Sequence, residues 1–255
     1  LKISPSGKLT TFAGKVGKSG RPKPGKATST KLQCPEALVT DADRNVYLID
    51  SDAVLKVTPR GRLSVVAGTV GESGYPSPGP ATESLLGNPR DLAIDKAGNI
   101  FIADAGPYSL VEKVSANGEL SIIAGRGGMG RPKFGRAATA AYLGIPSSVA
   151  VGKGGIVYIG ISNGLSTATG TYAVVAAVTP DGKLERVAGR MTKVGKPRPG
   201  PASKSRLDGP LWMTMGPKNT LYAGFGVALG SKGSYIVKIT SSNRLSVVQK
   251  NFTVR

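Results

Sequence analysis

Carboxylates at predicted strand ends and turns are the residues in this sequence that come closest to a catalytic or metal-binding set. Grouped side chains of this type can coordinate Ca²⁺ or act as a general acid and base. In turns, aspartates more commonly accept hydrogen bonds from their own backbone. We therefore expect turn and cap roles for these residues and leave a structural Ca²⁺ open. They are Asp41, Asp43, Asp50, Asp52, Asp95 and Asp104.

The chain contains no histidine and one cysteine, and these counts exclude several kinds of chemistry. Ser-His-Asp and Cys-His nucleophiles need an imidazole, as do histidine-built zinc sites. A single cysteine provides neither an internal disulfide nor a CxxC redox pair, so Cys34 is expected to be a small packing residue. No metal site and no cofactor are predicted.

The chain is strongly basic. Its 34 Lys and Arg against 15 Asp and Glu give a formal net charge of +19 over 255 residues. Such an excess favours an anionic partner, which could be RNA, an acidic glycan or an acidic protein surface, although a merely soluble basic surface is the alternative. No apolar run approaches the length of about 20 residues that a membrane span requires. The residues themselves leave the compartment open.

Four copies of one repeat make up most of the chain. An Ala-Gly pair ends a short apolar run in each copy; a proline follows 21 residues after the glycine, and an aromatic residue 12 residues after the proline. Because both offsets hold in all four copies, the front half of the unit has a fixed length, whereas the back half varies. The prolines and aromatic residues are Pro35, Pro89, Pro146 and Pro210, and Tyr47, Phe101, Tyr158 and Tyr222.

Each repeat predicts four short strands, because apolar runs alternate with turns rich in Asp, Gly and Asn and helical periodicity is absent. Recurring four-stranded units are typical of a β-propeller. We predict one all-β domain over residues 1–255 with four-stranded antiparallel blades. The blades are expected at about 35–68, 89–125, 146–189 and 210–250, with a half blade at 1–14. The half blade predicts a ring of five or six blades, with roughly 40 or more residues before Leu1.

The repeat resembles the NHL repeat of bacterial-type propellers over essentially the whole chain. The resemblance rests on G-x-P-x-P-G-x-A-T, on D-x-x-G-N-[VI]-[YF] and on the closing VAG. The second copy is closest, while Gly160 and Gly224 are taken to stand where Asp50 and Asp104 do. The resemblance implies a structural role for those aspartates. It also implies an electropositive loop face that binds RNA in some NHL propellers, and it excludes the family's zinc lyase branch, whose histidines are absent. An exported location is weakly favoured only by this family that the repeats resemble.

The charge is concentrated in the connections that lead from one repeat into the next. The connections 15–34, 69–88, 126–145 and 190–209, called the first to fourth connections, carry thirteen of the nineteen net charges. Three have a proline between two cations at their centre, whereas the second has Tyr75-Pro76-Ser77. Proline fixes φ, so the flanking cations would lose less freedom on binding. The predicted anion-binding residues are Arg21, Lys23, Arg131, Lys133, Lys196 and Arg198, with Tyr75 and Phe134 as candidates for stacking.

These observations predict a non-enzymatic recognition module, such as a sensor or adaptor domain of a larger protein, that docks an anionic partner on the face shared by the connections and the variable loops. An alternative is a protein-interaction domain that uses the uncharged loops 161–173 and 225–234. An enzyme in the central channel is the third interpretation, and Glu36 and Asp91 are its only plausible carboxylates. Trp212, Met213 and Met215 on the last inner strand are expected to pack or to line the channel.

Overall fold

The computed structural model describes residues 1–128, 130–163, 172–192, 194–207, 210–225 and 234–250. Residues 1–10 contribute a two-stranded antiparallel sheet, and four five-stranded sheets follow along the chain. This confirms the all-β propeller and its four antiparallel blades. No helix among the described residues is long and apolar enough to cross a membrane.

The strands follow one another in the same order in every blade. The N-terminal sheet consists of β1 (Lys2–Ile3) and β2 (Leu9–Thr10). Blade 1 contains β3 (Gly25–Lys26), β4 (Pro35–Thr40), β5 (Val46–Asp50), β6 (Ala53–Val57) and β7 (Arg62–Ala67). Blade 2 contains β8 (Gly79–Pro80), β9 (Pro89–Ile94), β10 (Ile100–Asp104), β11 (Leu110–Val114) and β12 (Glu119–Ala124).

Blade 3 contains β13 (Arg136–Ala137), β14 (Ile145–Val151), β15 (Val157–Ser162), β16 (Ala173–Val178) and β17 (Lys183–Arg190). Blade 4 contains β18 (Gly200–Pro201), β19 (Pro210–Gly216), β20 (Thr220–Phe225), β21 (Tyr235–Ile239) and β22 (Arg244–Lys250). The helical segments are single 3₁₀ turns: Ala27–Ser29, Ala138–Ala140, Lys153–Gly155, Ala202–Lys204 and Pro217–Asn219.

A short fifth strand at the outer edge of each blade is the feature that the repeat pattern did not predict. In blade 2 the strand order is β8-β12-β11-β10-β9, so β9 is innermost and β8 outermost. The two-residue strand comes from the connection that leads into its blade and pairs with the start of the outermost long strand, as Gly79 does with Leu120. The middle of each connection therefore lies along the outer edge of a blade, which we call the rim.

In the first three connections, a buried alanine ties the end of the preceding repeat to the blade that follows. The Ala81 carbonyl accepts a hydrogen bond from the Gly68 amide at the end of blade 1, and the Ala81 amide donates to the Gly118 carbonyl in the last turn of blade 2. Ala27 and Ala138 make the corresponding pairs of bonds. Because these alanines are almost fully buried, the bonds lie away from water and fix the angle between blades.

The hydrophobic core lies between the faces of neighbouring blades. Tyr47 and Ile49 of blade 1 pack with Ile100 and Ile102 of blade 2, and equivalent clusters join blades 2 and 3 and blades 3 and 4. At about 25 cal/mol per Å² of apolar surface, such interfaces supply the main stabilising term of a propeller. The same arrangement leaves an apolar face wherever a neighbouring blade is missing.

The outer faces of the first and last blades show this effect. Leu38 occupies the inner-strand position that Leu92, Val149 and Met213 occupy in blades 2 to 4. Leu38 is 67% exposed, whereas the other three are 1–7% exposed. On the far side of blade 4, Val248 is also exposed. The predicted five- or six-bladed ring is consistent with these faces and stays a prediction.

Candidate functional site

The four central prolines of the connections are buried, and the residues on both sides of each proline are exposed. This holds for Pro22, Pro76, Pro132 and Pro197. The six predicted cations are therefore presented to solvent by a backbone that is anchored at its middle. We call Arg21, Lys23, Arg131, Lys133, Lys196 and Arg198 the rim cations.

A buried hydroxyl holds the segment after the proline in three of the four connections. Thr30 Oγ1 accepts a hydrogen bond at 2.7 Å from the Lys23 backbone amide, and Ser205 Oγ accepts one at 2.9 Å from Arg198. Ser84 accepts the corresponding bond from Ser77 at 3.0 Å. In the third connection Ala141 occupies this position, and no hydroxyl is available. These buried side chains further restrict the cations of the first and fourth connections.

Neighbouring connections also touch one another. Arg21 Nη2 donates to the Gly71 carbonyl at 3.2 Å, so the first connection reaches the turn that opens the second. Tyr75 reaches towards Gly127 of the third connection and packs edge to face on Tyr108, with ring centroids 4.9 Å apart. The first three connections thus form a continuous belt along the rim.

The two aromatic candidates for stacking differ in accessibility. Tyr75 is 47% exposed, but its ring already contacts Tyr108. Phe134 is only partly exposed and packs against the core between blades 2 and 3. The connections contact the turns between the second and third long strands, in line with the expected shared face: Asp52 Oδ1 accepts the Gly71 amide, and Tyr75 packs on Tyr108. Only the middle of each connection departs from this face, because it pairs with the outermost long strand along the rim. Of the loops 161–173 and 225–234, residues 164–171 and 226–233 lie outside the described residues.

The repeat aspartates act as backbone caps. Asp50 accepts hydrogen bonds from the Gln33 and Cys34 amides, and Asp104 accepts them from Gly87 and Asn88. Each carboxylate thereby fixes the chain just before an inner strand. Burial raises the pKa of Asp50, and the two amide hydrogen bonds oppose that rise.

Two sequence-based assignments in this region are wrong. The position of Asp50, opposite Pro35, is occupied by Ile161 and Phe225 in blades 3 and 4, so Gly160 and Gly224 stand one residue earlier. The correct alignment is visible in the sequence, because the equivalent residue follows each repeat proline by 15 residues in all four copies. Cys34 is exposed and does not pack in the core, because its place in the first connection faces solvent.

The carboxylates of the turn aspartates also accept hydrogen bonds from nearby groups of the chain. Asp41 accepts bonds from the backbone and side-chain amides of Asn45, and Asp95 accepts them from Asn99. Asp52 Oδ1 accepts the Gly71 amide. Asp43 is exposed in its turn. Within the described part of the chain, no three acidic or cysteine residues are grouped so that they could hold a metal ion.

The channel carboxylates are tied to neighbouring inner strands. Glu36 Oε1 lies 3.4 Å from Arg90 Nη1, so blades 1 and 2 share an exposed ion pair. Asp91 accepts the amides of Leu92 and of Val149 in the next blade, both at 2.9 Å. Burial raises the pKa of Asp91 to about 6, and these two hydrogen bonds oppose the rise. These contacts give both carboxylates structural roles, and the expectation that the chain is not an enzyme stays an expectation.

On the last inner strand, Met213 is buried in the core between blades 3 and 4. Met215, two residues further on and on the same face of the strand, packs against that core and also lines a cavity at one end of the channel. Trp212 is 37% exposed and lies across Gly224, where the Cβ of any larger residue would collide with the indole. The small residue at 224 therefore makes room for the indole.

Comparison with known proteins agrees with this architecture. The profile of the teneurin NHL domain matches residues 2–166. Teneurin-1 of Mus musculus is 30% identical over 107 residues, which cover 38% of this chain and 4% of that protein. Teneurin-3 of Mus musculus is 25% identical over 255 residues, which cover 89% of this chain and 9% of that protein. The chain thus spans less than a tenth of the length of these relatives.

A solved structure shares the fold at low sequence identity. An auxiliary nutrient binding protein from Bacteroides thetaiotaomicron superposes with a TM-score of 0.54 and 12% identity, covering 88% of this chain and 49% of that one. The match to the family profile covers more than half of the chain and agrees with the repeat pattern and with the blade structure. The chain therefore belongs to the teneurin NHL domain family.

Proposed function

We propose that this NHL propeller is a recognition domain whose rim cations dock an anionic partner. The observation that carries the proposal is the shared geometry of the connections, in which a buried proline holds two exposed flanking side chains at equivalent positions. Recognition residues on a rigid scaffold lose little conformational freedom on binding. The binding free energy of an anion is most favourable where such residues are cations that form no ion pair within the protein.

The rim cations meet this condition in large part. Four of them make no ion pair within the described part of the chain: Lys23, Lys133, Lys196 and Arg198. Arg21 uses one donor on a backbone carbonyl and keeps its full charge. The ammonium and guanidinium groups are therefore available to phosphate, sulfate or carboxylate oxygens.

The second connection interrupts the charged belt. It carries two glutamates and has Tyr75 and Ser77 beside its proline. The third and fourth connections are consecutive along the rim, so their four cations form the longest uninterrupted basic segment. We expect a bound polyanion to use these four first and Arg21 and Lys23 second.

Charge reversal of the rim cations tests this function. We expect the sixfold glutamate variant to lose binding to heparin and to single-stranded RNA. For the unmodified chain, the logarithm of RNA affinity should fall with the logarithm of salt concentration with a slope near −4 to −5 if all six cations engage phosphates. Unchanged binding of both polymers by the sixfold variant would refute the proposal.

A matched control separates the rim surface from general basicity. Reversal of six exposed cations elsewhere changes the net charge by the same amount and should leave most of the binding intact. These are Lys2, Lys8, Arg44, Arg60, Arg90 and Lys96. An equal loss in both variants would show that only total charge matters. An acidic polypeptide such as poly-glutamate, titrated in parallel, would identify a protein-like partner if it alone binds.

A further inference from the structure

We propose a second anion site, separate from the rim, in the cavity at the channel end formed by the turns between the first and second long strands of blades 2, 3 and 4. The cavity has a volume of about 840 Å³. That volume suits a small organic molecule. Its ligand class is a compact organic polyanion whose phosphate or carboxylate oxygens are clustered.

The mouth of this cavity carries one lysine from each of three successive blades. Lys96, Lys153 and Lys218 line it, and all three are exposed. None of them forms an ion pair with a described residue. Three unpaired ammonium groups around one concave space produce a positive potential that a single anion can neutralise.

The turn carboxylate that could neutralise the lysines is already hydrogen-bonded in blade 2, and glycine stands at its position in blades 3 and 4. Asp95 lines the cavity, but its oxygens accept hydrogen bonds from Ala97 and Asn99. In blades 3 and 4 the same turn position is Gly152 and Gly216. A Cβ at Gly152 would come within 2.8 Å of the Tyr158 ring, and one at Gly216 within 2.5 Å of the Tyr222 ring. An aspartate in either turn would therefore require its tyrosine ring to move, and neither turn carries a carboxylate.

The turn in blade 4 is held in an unusual backbone conformation. Lys218 and Asn219 have φ angles of 58° and 54°, where blade 3 has Gly154 and Gly155. A left-handed conformation costs a non-glycine residue roughly 1 kcal/mol, with asparagine less affected. Asn219 Oδ1 accepts the Lys153 amide at 2.8 Å, so this turn is tied directly to the turn of blade 3. This hydrogen bond fixes the spacing between the two turns that carry Lys153 and Lys218.

The interior of the cavity favours an organic body over a bare ion. Ile94, Val151 and Met215, the last apolar residues of three inner strands, line it. A second cavity of about 290 Å³ continues along those strands and is lined mostly by apolar side chains. A ligand would place its acidic groups among the lysines and its carbon skeleton against this floor.

Calorimetric titration with citrate and with pyrophosphate tests the site. We expect saturable binding of at least one of them at physiological salt. Binding of citrate alone would assign carboxylate chemistry, and binding of pyrophosphate alone phosphate chemistry. A variant with Lys96, Lys153 and Lys218 changed to Gln should lose at least tenfold in affinity. No saturable binding by the unmodified chain, or unchanged affinity in this variant, would overturn the proposal.

Two further variants keep the result interpretable. Gln substitutions at Lys2, Lys8 and Lys204 remove the same charge outside the cavity and should leave the affinity within about twofold of the unmodified value. Lys218→Gly relieves the left-handed strain, so it should fold well and still lose about threefold in affinity. The glutamate variant of the rim cations should keep most of its citrate or pyrophosphate binding, so the two sites can fail independently.

Discussion

The Thr30 hydroxyl accepts a hydrogen bond from the Lys23 backbone amide at 2.7 Å, seven residues upstream in the same connection. Thr30 is 6% exposed, so its oxygen has little access to water. This bond fixes the segment that presents Arg21 and Lys23. The third connection has Ala141 in place of the hydroxyl-bearing residue. The hydrogen bond can therefore be removed from the first connection by one substitution and introduced into the third by another.

We expect Thr30→Val to lower the free energy of unfolding by about 1 kcal/mol, because the partly buried hydrogen bond from the Lys23 amide is lost while side-chain volume is kept. Ala141→Ser should have the opposite local effect by offering an acceptor to the Phe134 amide, which lies seven residues upstream as Lys23 does from Thr30. Hydrogen exchange provides the readout, with protection lost at Lys23 in the first variant and gained at Phe134 in the second. Faster exchange at Phe134 in Ala141→Ser would show that the third connection cannot adopt the same bond.

The fold could be predicted from the sequence because the repeat fixes several positions at once. The constant spacing from Pro35 to Tyr47 and its counterparts sets the length of the first hairpin in each blade, and Asp41 and Asp95 mark where that hairpin reverses in blades 1 and 2. The outer strands could not be predicted, since a strand of two residues, such as Gly79–Pro80, is too short to show an alternation of apolar and polar side chains. Their pairing depends on the neighbouring long strand.

The residue types that form the candidate site could be predicted from the sequence, but their location in the fold could be predicted only in part. The exposure of the rim cations follows from their position beside a buried proline in each connection. The path of the connections along the rim depends on the hydrogen bonds of Ala27, Ala81 and Ala138, which no local pattern reveals. The lysines of the second cavity belong to three separate turns, and only the ring arrangement of the blades brings them together.

Asp91 should make stability depend on pH. Burial raises its pKa to about 6, whereas an unfolded aspartate titrates near 3.9. The folded chain therefore holds the proton more tightly, and its contribution to stability is present below about pH 4 and lost as the pH rises to about 6. Asp91→Asn should flatten this dependence. Its gain in the free energy of unfolding at pH 7 should stay below about 2 kcal/mol, because asparagine offers one acceptor oxygen to the two backbone amides that the carboxylate binds.

Urea denaturation at pH values from about 3.5 to about 7.5 measures this effect. Asp43→Asn, an exposed position in the first turn of blade 1, is the control and should leave the pH profile unchanged. If Asp91→Asn destabilises the chain equally at every pH, the carboxylate acts through its hydrogen bond to Val149 alone.

Glu112 is a buried carboxyl whose removal should be stabilising. It is fully buried, both of its carboxyl oxygens accept no hydrogen bond from a described residue, and burial together with the nearby Asp104 charge raises its pKa well above the usual value. Leu55 occupies the equivalent place in blade 1, opposite Leu48 as Glu112 is opposite Ile102. A leucine of similar volume therefore suits this environment.

We expect Glu112→Leu to raise the melting temperature at pH 7 and above by at least the equivalent of about 1 kcal/mol. The gain should shrink as the pH falls towards 4, because the wild-type carboxyl is increasingly protonated in both folded and unfolded states there. Glu112→Gln, which keeps the polar group, should give a smaller gain. A lower melting temperature for the leucine variant at neutral pH would mean that Glu112 has a partner that compensates its burial.

Leu38 and Leu92 occupy equivalent inner-strand positions and differ only in whether a blade covers them. Leu92→Ala should cost about 2 to 5 kcal/mol, since it opens a cavity between blades 1 and 2. Leu38→Ala should cost less than about 0.5 kcal/mol in the 255-residue chain, because the side chain is 67% exposed. In a longer chain whose additional blade covers this face, Leu38→Ala should approach the cost of Leu92→Ala. Paired denaturation of the shorter and longer chains distinguishes these cases, and a large cost of Leu38→Ala in the shorter chain would show that its own residues already cover the face.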